Sequence, residues 1–168
     1  MLTRLRLPAF AAGAALLAAA PTAASAGTAS STMSVTATVT ANCTVSTTAL
    51  AFGSVNTISG SNVDSTGSLS ITCTNGTAWA ASAGIGSGSG ASFANRKMTA
   101  GANLLNYNIY TTAARTIVWG DGTSSTATIG GTGSGNAQSV TVYGRVGSGQ
   151  TSVPAGAYAD TVAVTVTY

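Results

Sequence analysis

Apolar and polar residues alternate strictly near the start of the chain, over residues 32–45. The even positions up to residue 42 are Ser, Thr or Asn, and the apolar odd positions are Met33, Val35, Ala37, Val39, Ala41, Cys43 and Val45. A period of two places successive side chains on opposite faces of a β-strand. The pattern therefore predicts a strand with one continuous apolar face.

Shorter runs of the same alternation continue to the end of the chain. They predict strands over residues 68–74, 79–85, 104–110, 117–119, 140–146 and 158–168, the last with Val162, Val164, Val166 and Tyr168 on one face. Gly120-Asp121-Gly122 is typical of a hairpin turn, and the glycines between Gly84 and Gly90 indicate a flexible loop. After residue 26, helical periodicity is limited to a single turn around residues 112–115. The fold class is therefore all-β, and the number and spacing of strands favour an antiparallel sandwich with Greek-key connections.

Both ends of this predicted sandwich carry a strand without protection. Neither 32–45 nor 161–168 contains a charge or a proline, which are the residues that usually stop an edge strand from pairing with another chain. Two interpretations stay open at this point. The two strands pair with each other inside one complete sandwich, or they pair with strands of other chains.

Composition excludes much conventional chemistry. The chain of 168 residues has no His and no Glu, its charged residues make up 5%, and its acidic residues are Asp64, Asp121 and Asp160. Without imidazole there is no Ser-His-Asp relay and no His-based metal site. Asp121 and Asp160 lie in or beside predicted turns, and Lys97 has no neighbour that favours catalysis. We therefore expect no enzyme, and no catalytic, cofactor-binding or metal-binding residues.

The first 26 residues have the organisation of a secretory signal peptide. Arg4 and Arg6 precede an apolar stretch over 7–20, and Ala24-Ser25-Ala26 is a small-residue cleavage site. The apolar stretch is shorter than the roughly 20 residues that a membrane-spanning helix needs. We expect cleavage after Ala26 and no membrane span in the remaining residues 27–168. Those residues carry four cations against three Asp, a net charge of +1, too few and too scattered for nucleic-acid binding.

The two cysteines of the chain, Cys43 and Cys73, form an even pair in a sequence predicted to be exported. Such a pair is typical of a single disulfide. No His or Lys lies near either cysteine in the sequence to activate a reactive thiol. We therefore predict a structural disulfide.

Several segments together resemble one known family. They are LLNYNIYTTAARTIVWGDGT over 104–123, VTVYGRV over 140–146, VPAGAYADTVAVTVTY over 153–168, ANCTVS over 41–46 and SITC over 70–73. In combination they are similar to the spore coat protein U domain, the family of the archaic (Csu-type) chaperone–usher pilus subunits. The two cysteine-containing segments match the positions of the family's disulfide.

The resemblance implies an incomplete immunoglobulin-like sandwich that lacks its last strand. A periplasmic chaperone would lend a strand before assembly at an outer-membrane usher, and the N-terminal extension of a neighbouring subunit would then replace it. On this chain the extension would be residues 27–41, with Met33, Val35, Ala37 and Val39 entering the neighbour's groove, and the sandwich domain would be 42–168. The strand carrying Val162, Val164, Val166 and Tyr168 would flank the groove. The implied function is a structural subunit of an extracellular pilus, a shaft or adaptor rather than a tip subunit, with a role in adhesion and biofilm formation.

Two other functions remain as alternatives. One is a secreted spore-coat or cell-coat structural protein of the same domain family. The other is a monomeric glycan-binding sandwich, which would need an exposed aromatic face built from Trp79, Trp119, Tyr107 and Tyr110.

Overall fold

In a computed structural model of the protein, residues 23–168 are described. Most of the predicted signal peptide, residues 1–22, lies outside the described residues. The chain divides at Ala37 into two units. Residues 23–37, the described part of the first unit, are exposed and form no helix or strand. Among the described residues, no helix is long and apolar enough to cross a membrane.

The second unit, residues 38–168, is an all-β sandwich, as the sequence predicts. Its strands are β1 (Cys43–Thr47), β2 (Val63–Cys73), β3 (Ala78–Ala83), β4 (Arg96–Ala100), β5 (Asn103–Tyr110), β6 (Ile129–Thr132), β7 (Gln138–Val146) and β8 (Val164–Thr167). One sheet has the order β1-β2-β7-β5-β4 and the other the order β6-β3-β8. All paired strands are antiparallel.

The core lies between the two sheets. β2 alternates as predicted, so that Leu69, Ile71 and Cys73 are buried while the residues between them are partly exposed. The rest of the buried apolar set is Trp79, Ala81, Ala83, Leu105, Tyr107, Ile109, Trp119, Val142 and Val146. Small residues on β3 leave room for Trp119, whose Nε1 donates a hydrogen bond to the Ala81 carbonyl at 3.0 Å. Burial of alternate positions explains why these segments form strands.

The long N-terminal strand prediction is wrong for most of its length. Only residues 43–47 of this part of the chain form a strand, and residues 23–42 are exposed without secondary structure. The alternating pattern needs a partner strand to fix it, and the described chain supplies one only from Cys43, which pairs with Cys73 of β2. The apolar face at 33–41 is left without a sheet to join.

Other boundaries also differ from prediction. The segment 117–119 makes two isolated bridges, Val118 with Tyr110 and Trp119 with Ala127, rather than a hairpin strand. Asp121 accepts hydrogen bonds from the Thr123 backbone and hydroxyl, so it closes a turn in a wider loop. The C-terminal strand begins at Val164, not at Tyr158. At the predicted helical turn, the Arg115 N–H donates to the Thr112 carbonyl, but Arg115 has a φ of 54°, so the segment is a hydrogen-bonded turn and not helix.

Strands β4 and β6 are not predicted by the alternation. β4 contains the charged residues Arg96 and Lys97, and β6 contains two adjacent glycines, Gly130 and Gly131. The ring of Trp79 covers Gly131 so closely that a β-carbon there would collide with it. The packing of Trp79 thus requires glycine in a strand that glycine would ordinarily weaken.

Candidate functional site: an open groove between the sheets

A groove opens beside the start of the edge strand β8, where Val164 is the one residue of that strand that lines it. Its volume is about 1160 Å³. The segment 48–58 forms one wall, and residues 153–164 form the other. The floor consists of side chains from the hydrophobic core, namely Leu69, Leu105, Tyr107, Ile109, Trp119 and Val142. The groove therefore leads from solvent directly to the core of the sandwich.

The first wall, residues 48–58, follows β1 but is not part of the sheet. After β1 ends at Thr47, Thr48 still bonds Ser68 through its backbone N–H at 2.8 Å, and then the chain runs on without strand pairing to residue 62. Leu50 and Phe52 pack against Gly144 of β7, where a β-carbon would come within 2.5 Å of Leu50 and 2.9 Å of Phe52. Phe52 also meets the ring of Tyr107 edge to face at 6.1 Å. Glycine at position 144 thus makes room for the apolar side chains of this wall.

The second wall includes the edge strand β8. This strand pairs with β3 on one side, and its other side has no strand partner in the described chain. Val162, Val164 and Val166 are half-buried and the residues between them are exposed, so the predicted alternation is present. Val162 and Val164 line the groove, whereas Val166 and Tyr168 are not among its lining residues. Tyr168 is 56% exposed, and its hydroxyl lies 3.4 Å from Asn42 Oδ1.

The two terminal strands do not pair with each other. β1 pairs with β2 at the edge of one sheet, and β8 pairs with β3 at the edge of the other. Of the two interpretations of these unprotected strands, the structure therefore contradicts pairing inside one complete sandwich. The sandwich is left open between β8 and the segment that follows β1.

Asp160 lies in the groove wall, and both oxygens of its carboxylate accept hydrogen bonds. Oδ1 accepts hydrogen bonds from Ser87 N, Ser87 Oγ and its own neighbour Thr161 N, all at 2.7 Å. Oδ2 accepts one from the Tyr107 hydroxyl, also at 2.7 Å. Burial alone would raise the pKa of Asp160, but these hydrogen bonds outweigh it and hold the pKa below its ordinary value. Burial and the same carboxylate raise the pKa of Tyr107, so its hydroxyl remains a donor.

Arg96 is a fully buried cation behind the same wall. Its guanidinium donates to the carbonyls of Gly84 and Trp119 and to Asn108 Oδ1, at distances between 2.6 and 2.9 Å. It also lies over the ring of Phe93, 5.6 Å from the ring centroid. Burial lowers the pKa of Arg96, and the electrostatic influence of Tyr107, Asp160 and Tyr110 partly offsets this effect.

The glycine-rich segment 84–90 is held in place rather than free. Arg96 fixes the Gly84 carbonyl, the Gly84 N–H donates to the Ala163 carbonyl at 2.8 Å, and Asp160 fixes Ser87. Gly86 has a φ of 90°, and a β-carbon there would collide with the Asp160 carboxylate. The segment is a loop as predicted, and its glycines allow close contact with Asp160 and β4, which the sequence did not predict. Sequence reasoning missed this role of Asp160 and Arg96, since the contacts join residues far apart in the chain.

The residues predicted for the donor segment are exposed. Met33, Val35 and Val39 are 87%, 85% and 84% exposed, and Ala37 is exposed as well. Ile58 is the one other large apolar residue of the described chain with comparable exposure, so an alternating row of such side chains is unusual here. No charged residue interrupts the row between Met33 and Val39.

The other predicted features are placed as follows. Cys43 and Cys73 form the predicted disulfide, between directly paired positions of β1 and β2. Trp79, Trp119 and Tyr107 are buried in the core, so the structure contradicts the exposed aromatic face that glycan binding would need. Asp121 and Asp160 are engaged in separate hydrogen-bond networks and do not form a carboxylate pair.

The fold is an all-β sandwich of two antiparallel sheets with an open groove beside the start of β8. The family model of the Spore Coat Protein U domain matches residues 29–165, and the chain belongs to this family. Protein U of Myxococcus xanthus is 38% identical over 120 residues, which cover 68% of this chain and 65% of Protein U. The chain therefore spans somewhat less than two thirds of that relative.

A solved structure shares the fold. It is the chaperone–tip adhesion subunit pre-assembly complex CsuC–CsuE from the archaic chaperone-usher Csu pili of Acinetobacter baumannii. The match has a TM-score of 0.51 and 23% sequence identity, and covers 78% of this chain and 40% of that one.

Proposed function

We propose that the protein is a structural subunit of an extracellular chaperone–usher pilus that polymerises head to tail by donor-strand exchange. The observation that carries the proposal is the apolar groove beside the unpaired edge of β8. A groove of this kind accepts an extended strand, which gains main-chain hydrogen bonds from the edge and places alternate side chains into the groove. The same chain has an exposed N-terminal extension over 27–41, which carries the alternating strand pattern from residue 32.

The energetics favour a long-lived contact. Each large apolar side chain that enters the groove contributes about 1.5–3 kcal/mol, and Ala37 contributes less. Met33, Val35 and Val39 are large and almost fully exposed in the free chain. The inserted strand also satisfies backbone groups along β8 that otherwise face water. Together these terms support a contact that dissociates slowly.

The geometry of exchange determines the type of assembly. The donor segment of one chain meets the groove of the next, so that two different surfaces are joined at every contact. Repetition of such a heterologous contact builds an open filament unless the rotation happens to close a ring. The low content of charged residues fits a chain whose surface is largely covered by other subunits.

The proposed partners follow from the open groove. An exported subunit with an open apolar groove and an unpaired strand edge needs cover before assembly, and a periplasmic chaperone that lends a strand would supply it. The related Csu subunit was solved in a pre-assembly complex with its chaperone. We propose that subunits polymerise at an outer-membrane usher and that the protein is finally located in the pilus at the cell surface. The proposed role of the fibre is adhesion and biofilm formation.

Complementation between two defective chains tests the proposal. In residues 27–168, Val35→Asp with Val39→Asp would disable the donor segment, because charges would have to enter an apolar groove. Val162→Asp would disable the groove in the same way. Neither chain alone should polymerise after refolding with its disulfide intact. An equimolar mixture should give one-to-one dimers in size-exclusion chromatography with light scattering, because one intact donor meets one intact groove.

Matched controls place charges outside the contact. Thr36→Asp with Thr38→Asp alters the polar face of the donor segment, and Val45→Asp alters an exposed position on β1 that does not line the groove. Both controls should polymerise like the parent chain. A parent chain that remains monomeric, or a mixture of the two defective chains that gives no dimer, would contradict strand exchange.

A coat structural protein of the same family is the second candidate function. The match to the Spore Coat Protein U domain and to Protein U of Myxococcus xanthus favours it specifically. The two functions differ in where the protein accumulates. Shearing of intact cells should release a pilus subunit as filaments, whereas a coat protein should stay with the cell or spore envelope.

A further inference from the structure

The chain crosses from one sheet to the other between Ala159 and Val164, beside the groove. Ala159 exchanges two backbone hydrogen bonds with Thr99 of β4, at 2.8 and 3.1 Å. Four residues later, the Ala163 carbonyl accepts from Gly84 N, and β8 then pairs with β3. Between these two points, Val162 packs against the core, and the Asp160 side chain provides the hydrogen bonds that join the crossing segment to the body of the sandwich.

The Asp160 carboxylate joins three parts of the fold at this crossing. It binds Ser87 in the loop that follows β3, the Tyr107 hydroxyl on β5 in the groove floor, and the Thr161 N–H in the crossing segment itself. No direct ion pair with Arg96 or Lys97 of the neighbouring β4 occurs among the described residues. Because both oxygens are occupied, the carboxylate does not compete for the hydrogen bonds of an incoming strand.

An empty apolar groove in water tends to close. Val162 and Val164 stand on one wall, and Leu50 and Phe52 stand on the other, so movement of the crossing segment toward residues 48–58 would remove apolar surface from water. The backbone bonds at Ala159 and Ala163 bracket the segment but do not fix the residues between them. The bonds from Ser87 and Tyr107 to Asp160 oppose this movement.

We propose that Asp160 is the positioning residue of the groove, which keeps the crossing segment apart from residues 48–58 so that the free edge of β8 stays open to an incoming strand. The proposal rests on the proposed function, because it concerns the readiness of the groove to accept a donor strand. Asp160 touches no part of the donor in this role. It acts through the placement of Val162 and Val164.

Association kinetics of a donor peptide test the role. The parent is the chain 27–168 with Val35→Asp and Val39→Asp, so that its own extension does not compete. The probe is a fluorescent peptide of residues 28–41, added in excess and followed by anisotropy. Asp160→Ala is compared with Asp121→Ala, which removes an aspartate that bonds only within its own turn. Tyr107→Phe and Ser87→Ala each remove part of the link while retaining the carboxylate.

Loss of the link should reduce the fraction of chains with an open groove. If about nine chains in ten are closed, the apparent association rate constant falls about tenfold. Asp160→Ala should show this fall, Tyr107→Phe and Ser87→Ala a smaller one, and Asp121→Ala none. The dissociation rate constant should stay within about twofold of the parent, because the donor contacts are unchanged once the strand is in place. A residue that only stabilises the fold would lower the melting temperature without changing association well below it.

The outcomes separate the two proposals. If the parent binds the peptide and folded Asp160→Ala binds it at the same rate, the role of Asp160 is overturned while strand acceptance stands. If Asp160→Ala does not fold, unchanged association in both Tyr107→Phe and Ser87→Ala overturns the role equally. If the parent binds no peptide, strand acceptance itself is wrong and the role of Asp160 falls with it.

Discussion

At the scale of single residues, Arg96 shows how this fold uses one of its few charges. Its side chain has no exposed surface, and it satisfies the carbonyl groups of Gly84 and Trp119 together with the Asn108 amide oxygen. These three acceptors belong to different parts of the chain. A planar fork of N–H donors can reach all of them at once, which an ammonium group cannot do.

Replacement of Arg96 by lysine should therefore be costly although the charge is kept. We expect Arg96→Lys to lower the free energy of unfolding by about 3 kcal/mol, because at least one buried carbonyl group loses its partner. Arg145→Lys is the control, since Arg145 pairs with Asp64 near the surface and such pairs contribute up to about 1 kcal/mol. Urea unfolding of both variants measures the difference. Equal losses would contradict the account of Arg96.

The hydrogen bonds to the Asp160 carboxylate predict that the free energy of unfolding depends on pH in the acid range. The pKa of this carboxylate lies below the ordinary value of 3.8, as do those of Asp64 and Asp121, which accept hydrogen bonds from Arg145 and Thr123 respectively. A lowered folded-state pKa means that the contribution to stability is present above pH 3.8 and is lost as the pH falls through the folded-state pKa. The groups that face Asp160 are Tyr107 and, farther away, Arg96, and neither titrates in this range.

We therefore expect the free energy of unfolding to be nearly constant from pH 8 to pH 5 and to fall below pH 4. In Asp160→Asn the fall should be smaller, because one of the three contributing carboxylates is absent. Chemical denaturation at a series of pH values measures both curves. Parallel curves for the two proteins would show that Asp160 does not contribute.

At the scale of elements, the edge strand β1 depends on its covalent link to β2. The disulfide joins directly paired residues and closes a loop with a sequence separation of 30. In the chain-entropy description, a loop of this length stabilises the folded state by about 3–4 kcal/mol. β1 has only five residues, and four of them are exposed, so that burial contributes little to its retention.

Removal of this link should be measurable directly. We expect Cys43→Ser with Cys73→Ser to lose about 3 kcal/mol of unfolding free energy, and reduction of the parent to give the same loss. The reductant should have no effect on the double variant, which serves as the control. If reduced parent and double variant unfold like the oxidised parent, the disulfide is not the element that holds β1.

The elements differ in how far the sequence reveals them. β2 and β7 are found from alternation, because their buried side chains are apolar or glycine, and β5 is found from its apolar residues although its Asn108 is buried as well. β4 is missed because its buried residue is Arg96, whose partners lie elsewhere in the chain, and β6 is missed because Trp79 covers its glycine.

Residues 32–42 have the alternating pattern of a strand but form none. Alternation indicates that a segment can pair with a sheet, and no strand of the described chain pairs with this segment. The residues of the groove wall at 162 and 164 are found from alternation, whereas the link through Asp160 depends on long-range contacts that no local pattern contains.

At the scale of the whole molecule, the protein combines an unfilled groove with an unpaired strand pattern. The groove reaches the core between the segment 48–58 and the edge of β8. The exposed apolar row from Met33 to Val39 has the period of a strand and no place in a sheet. Each feature is unusual alone, and under the proposed function the exposed row of one copy fills the groove of another.

Thermal melting with a donor peptide tests this complementarity most directly. The protein is the chain 27–168 with Val35→Asp and Val39→Asp, and the added peptide comprises residues 28–41. At a peptide concentration about 1,000 times its dissociation constant, binding should stabilise the fold by about 4 kcal/mol and raise the melting temperature by about 10 °C. A peptide with aspartate at positions 35 and 39 should leave the melting temperature unchanged. Equal melting temperatures with and without the unmodified peptide, in a chain that stays monomeric and stable, would contradict the account of an open groove that accepts a neighbour's strand.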